Sequence, residues 1–192
     1  MVGHLGDPRL IGAVALGAVL FTFVQWAFSF LRMGTTGFIA LAYGARDFTE
    51  VNAAALRAIA VALVAGVAVL VLREPIAWVA FELVQGSAGL ERLARTYYDI
   101  RMWGVPAVLL NMVALGILFG LQQMRLALIT QLVLNALNAS LDVLFVIGFE
   151  WGLAGVAWAS VIAEWCAALL GLWFISRQLI NLGGRWHDLQ LG

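Results

Sequence analysis

Between Arg125 and Glu150 lie 24 residues whose only ionisable side chain is Asp142. A helix rising 1.5 Å per residue needs about 20 such residues to cross a hydrocarbon core of about 30 Å. No water reaches backbone amides and carbonyls there, so the crossing segment has to satisfy its own hydrogen bonds as a helix. Advancing 100° per residue, Gln131, Asn135, Asn138 and Asp142 fall within one arc of about 60°. A carboxylate in hydrocarbon costs roughly 2.5 to 3.5 kcal/mol on insertion scales, and each amide adds an unmet hydrogen-bonding demand. This polar face is therefore expected against protein or water rather than lipid. One reading is a seam of amides joining helices. The other, which the residues favour, is an ion or proton site. Amide glue needs no charge, whereas an intramembrane Asp beside carboxamides can hold a proton when desolvated and release it when wetted.

The rest of the composition agrees with a bilayer setting. Hydrophobic residues make up 64% of the 192, charged residues 11%, and mean hydropathy is +0.97, against roughly 45 to 50% apolar and 25% charged in soluble domains. The expected fold class is all-α, a multi-pass transmembrane helix bundle, with membrane lipid as its surroundings. A formal net charge of zero gives no reason to expect nucleic acid. The single Cys166 supports neither a disulfide framework nor a Cys-based metal site. The chain contains no GxxxxGK[ST] and no HExxH, so no ATP-binding loop and no zinc-hydrolase signature is present. No paired carboxylates at catalytic spacing and no nucleophile with its base can be named, so an enzyme is not expected. No cofactor is implied, and active transport would have to run on an ion gradient or on a partner's ATPase.

Five spans are predicted, at about 10–45, 52–72, 102–124, 126–149 and 151–176. They form a bundle over 9–178, preceded by a loop at 1–8 without the marks of a signal peptide. A polar stretch at 179–192 follows as a tail or linker. The 36 residues of 10–45 would measure about 54 Å as one straight helix, too long for the bilayer. A bend is predicted at Gly34–Gly37, just after Arg32, which anchors an interface or faces a cavity. PIAWVAFEL at 75–83 reads as a short amphipathic interfacial segment. ERLARTYYDIR at 91–101 reads as a polar helical lead into an apolar helix whose start is kinked by Gly104 and Pro106. Arg32 apart, the other ten arginines divide five against five between the two sides, so the positive-inside rule gives no orientation.

Further polar residues could line a cavity with the stripe. Tyr97 and Arg101 are one turn apart, as are Ser160 and Glu164, and Thr35 and Thr36 are adjacent. Each has a plainer explanation. Tyr97 can be an interfacial belt residue, and Glu164 can be neutralised by Arg32 or Arg101.

VGHLG at 2–6, FLRMGTTG at 30–37, AYGARD at 42–47, YYDIR at 97–101, NASLDVLFVIG at 138–148 and GLAGVAWASVIAEW at 152–165 together resemble the multidrug and toxic compound extrusion (MATE) transporters, in particular the DinF-like branch. The resemblance covers nearly the whole chain. It implies helices two to six of the N-terminal lobe of a twelve-helix antiporter, with the first helix, its Asp and the second lobe outside the chain. It further implies export of drugs or cationic, amphipathic small molecules in exchange for protons or sodium, in the plasma membrane. The missing second lobe, or another copy of the chain, would complete the cavity. Motif by motif, Asp142 becomes the ion-coupling carboxylate, Asn138 its partner one turn earlier, Tyr97 its aromatic hydroxyl and Ser160 the family's usual Thr. Leu41 stands where the branch usually has Gln. The alternatives are a related lipid or oligosaccharide flippase and a non-transporting membrane interaction protein.

Overall fold

The computed structural model describes residues 18–19, 21–23, 25–83 and 88–182, and in them every regular element is helical. The elements are α1 (Phe30–Gly44), α2 (Phe48–Val71), α3 (Arg73–Leu83), α4 (Ala88–Met102), α5 (Val105–Gly120), α6 (Met124–Val143) and α7 (Gly152–Asn181), with a π-turn at Leu144–Gly148 after α6. The expected loop at 1–8 and most of the expected tail lie outside the described residues.

Among the described residues three helices are long and apolar enough to cross a membrane: Phe48–Val71, Met124–Gly148 and Gly152–Asn181. Glu91–Met102 and Val105–Gly120 pass the same test together and make a fourth if the pair, bent by 51° at its break, is one span. Among the described residues the expected count of five is not confirmed. Residues of the predicted first span are helical where described, but Phe28 and Ser29 interrupt them. The 15 residues of α1 measure only about 22 Å. The interruption also corrects the predicted bend. Phe28 N–H bonds to Gln25 O at 3.2 Å and Ser29 N–H to Trp26 O at 3.1 Å, tightened turns of the 3₁₀ kind. α1 meanwhile runs unbroken through Gly34 and Gly37, beside which no atom lies within 4 Å of a would-be Cβ. Two glycines alone do not open a helix where the backbone has no other partner.

The remaining boundaries follow local chemistry. Asp47 caps α2 by accepting a hydrogen bond from Glu50 N–H at 3.0 Å, the role short oxygen side chains play at helix starts. α3 keeps Ala77 and Phe81 inside and leaves Trp78 and Val79 exposed, as an interfacial helix should. It is held to α4 by Tyr98, whose hydroxyl donates to Arg73 O at 3.0 Å, and by Arg95, which pairs with both Glu74 and Asp99. Pro106 opens α5, at the start of a helix where its missing N–H costs nothing.

α5 is the packing centre. Nearly all of its residues are buried, and it lies against α1, α2 and α7. α6, which carries the polar stripe, buries only Ala127 and Thr130 and packs on α7. Small residues explain the difference. A Cβ at Gly116 would lie 2.8 Å from Arg32 O and 2.9 Å from Thr35 Cβ, and one at Gly120 would lie 2.6 Å from Ile39 Cβ. Gly116 and Gly120, one turn apart, let the backbones of α5 and α1 approach closely, the usual basis of helix association where lipid is as apolar as the side chains. Gly120→Val is expected to cost about 1 to 3 kcal/mol by overpacking. Gly34→Ala, in open space, should leave stability unchanged or slightly raised. Thermal unfolding of the two variants in detergent checks the contrast, and equal midpoints would remove the close-approach account.

Candidate functional site

α6 and α7 form an antiparallel hairpin through the short connection at Phe149–Trp151. In this register Asn138 faces Ser160: Asn138 Nδ2 donates to Ser160 Oγ at 3.0 Å, and Ser160 Oγ donates to Val156 O at 3.2 Å. The serine hydrogen is thereby committed to the helix backbone and its lone pairs to the amide. Asp142 lies one turn beyond Asn138, half-buried, and its Oδ1 is shielded from solvent without a hydrogen-bond partner among the described residues. Such an oxygen is a costly group to leave bare in an apolar interior, and a proton or a cation would relieve it. Immediately after it the backbone departs from the α pattern. Phe149 N–H reaches Leu144 O at 3.0 Å, closing the π-turn that ends the span, a distortion frequent near functional positions.

Tyr97 is 6% exposed, and its hydroxyl is within electrostatic reach of Arg101, Glu164 and Asp142. It is thus packed inside the bundle rather than placed in a membrane-surface belt. Arg101 and Glu164 form a fork-on-fork pair, Nη1 to Oε2 at 2.9 Å and Nη2 to Oε1 at 2.7 Å, both side chains nearly sealed from solvent. Of the two arginines proposed for Glu164, it is Arg101 that neutralises it. The guanidinium also stacks over Phe21, 3.8 Å from the ring centre.

Of the other expected cavity residues, those on α1 make their described contacts within α1 and with α5. Thr35 is buried beside Gly116, Thr36 Oγ1 bonds back to Arg32 O at 2.8 Å, and Arg32 itself is exposed. These three serve the α1–α5 contact. Gln131 is half-buried and Asn135 exposed. Among the described residues no group of three or more His, Cys, Asp or Glu converges as a metal site. Any cation here would meet one carboxylate and neutral oxygens.

Sequence reasoning missed Asn111. It is buried in the middle of α5, its Nδ2 donates to Glu164 O at 2.9 Å, and its Oδ1 has no partner among the described residues. A lone amide in an otherwise apolar buried helix was the available signal. Ser160→Ala, which strips Asn138 of its acceptor, is expected to cost less than about 2 kcal/mol, as single interhelical bonds in membranes do. Ser160→Thr should retain it. Unfolding midpoints in detergent test this, and a larger loss in the Thr variant than in the Ala variant would contradict the assigned bond.

An all-helical bundle with three helices long and apolar enough to cross a membrane, and a half-buried carboxylate on one of them, is that of a multi-pass membrane protein. The comparisons with known proteins agree. The chain belongs to the MatE family, whose model matches residues 1–144. It is 39% identical over 184 residues to DNA damage-inducible protein F of Escherichia coli, a match taking in 96% of this chain and 40% of that protein. It is also 30% identical over 99 residues to Protein DETOXIFICATION 43 of Arabidopsis thaliana, covering 52% of this chain and 19% of that one. The fold superposes on a crystal structure of MATE in the bent conformation with a TM-score of 0.84 at 23% identity, over 97% of this chain and 42% of that one. An outward-facing multidrug resistance MATE family transporter of the MOP superfamily gives 0.86 at 23% identity, with the same coverage. The chain therefore spans about 40% of the length of the E. coli relative.

Proposed function

We propose that this chain is part of the N-terminal lobe of a secondary active antiporter of the cytoplasmic membrane, exporting drugs or organic cations against an inward flow of protons or sodium. The observation that carries the proposal is the shielded Oδ1 of Asp142, without a partner among the described residues, one turn from the Asn138 that bonds Ser160. When the pocket is closed to water, the carboxyl binds a proton, or a sodium ion shared with neighbouring oxygens. When it is wetted, the carboxylate is stable without the ion. Tyr97, buried in the same bundle, would supply a hydroxyl to either form.

Cavities of repeat-built transporters lie between the halves, so the cationic or amphipathic substrate would be held jointly by this lobe and a second one or another copy. The long exposed face of α6 supports that arrangement. Accumulation of a cationic dye in cells expressing the complete transporter tests it. The wild type should keep internal dye low, and Asp142→Asn should let it rise to the level of cells without the transporter. Equal export by both proteins would end the coupling role of Asp142.

A further inference from the structure

We propose that Arg101 and Glu164 are positioning residues: their buried pair sets the rotation and register of α7 against α4, so that Tyr97 and Ser160 are presented together to Asp142. This rests on the coupling role of Asp142 proposed above and adds what holds that pocket in shape.

Two contacts fix the register. Arg101 to Glu164 spans 63 positions and Trp103 to Trp165 spans 62, the second through Trp165 Nε1 donating to Trp103 O at 3.1 Å. Both contacts meet α7 at adjacent residues, so they pin the C-terminal end of α4 to the middle of α7. Tyr97 and Ser160 each lie one turn before their member of the pair, so fixing the pair constrains where both are presented. A bidentate guanidinium–carboxylate contact is planar and directional, so it fixes the rotation of both helices about their axes, which apolar packing alone does not.

The pair is also built into the break between α4 and α5. A Cβ at Gly104 would collide with Glu164 Oε2 and lie 3.2 Å from Arg101 O, so the residue at the bend is glycine because the carboxylate occupies its side-chain space. On the far side of the bend, Asn111 Nδ2 holds the Glu164 carbonyl at 2.9 Å. α7 is thus tied to both helices at the bend, through Arg101 and Trp103 before it and Asn111 after it.

Ion-induced stabilisation of the full-length protein in detergent separates positioning from mere support. A ligand that binds the folded state raises its melting midpoint with concentration, whatever the starting midpoint. Midpoints are measured against sodium chloride with choline chloride as control, and against falling pH in choline chloride. The wild type should be stabilised by one of these ions, and Asp142→Asn should lose that stabilisation. The charge-free double variant Arg101→Met/Glu164→Leu should fold yet show at least about tenfold weaker apparent ion affinity, as when residues supporting an ion's ligands are removed. Glu164→Asp, which keeps the charge but shortens the reach, should fall between them, and it decides the question if the double variant does not fold.

A structural role alone would lower the midpoint and leave the ion affinity intact. Wild-type affinity in the folded double variant, or in Glu164→Asp should the double variant not fold, would overturn the positioning role while Asp142 keeps its own. Undiminished stabilisation in Asp142→Asn would instead overturn the coupling reading, and the positioning role with it.

Discussion

Arg101→Met is expected to destabilise the protein by about 3 to 5 kcal/mol, because it leaves the Glu164 carboxylate buried with no counter-charge. Glu164→Leu should do comparable damage by stranding the guanidinium, although the Phe21 ring beneath Arg101 offers that cation a partial partner. Combining the two should recover most of the loss, since two well-packed apolar side chains often replace a buried ion pair at no net cost. Thermal unfolding of the four proteins in one detergent measures the cycle, and non-additivity is what two residues in direct contact must show. Single variants as stable as the wild type would mean that the pair is solvated in the membrane and holds nothing.

The second large effect is expected at Asp142. Asn has nearly the same shape as Asp and cannot carry the charge, so Asp142→Asn should fold, insert and still admit substrate. Uphill export should fall to the level seen without the transporter. Once one ionisation state is fixed, ion binding no longer differs between the wet and the closed pocket, and a ligand with no differential affinity cannot drive a conformational cycle. Asn138→Ala should be milder, because it removes a neutral neighbour and leaves the titrating group in place.

How far the sequence spoke for itself varied with the physics involved. Length and apolarity made the spans at α2, α6 and α7 visible, since the bilayer enforces both directly. The helical period placed Asn138 and Asp142 on one face, and the structure keeps them a turn apart, with Ser160 bonded to the first. The expectation that Tyr97 joins them came from family resemblance alone, because no local pattern relates residues 45 positions apart in the chain.

What the sequence concealed was packing. The apolar run around Phe28 and Ser29 has no breaker that marks the interruption there, while Gly34 and Gly37 look like a bend and lie in unbroken helix. The polar stripe of α6 drew attention as the centre of the molecule. The centre is α5, whose signal is the unobtrusive set of Ala107, Ala114, Gly116 and Gly120 that lets neighbouring backbones close in. Asn111 and Gly104 likewise gain meaning only once Glu164 is seen to lie against both.

The most direct test of the central claim is ion movement driven by substrate. The complete transporter is placed in liposomes, a cationic dye gradient is imposed, and proton or sodium counterflow is followed with no ion gradient present. The wild type should move the ion opposite to the dye, and Asp142→Asn should move none above empty liposomes. Counterflow of undiminished size through Asp142→Asn would contradict the assignment of Asp142 as the coupling group.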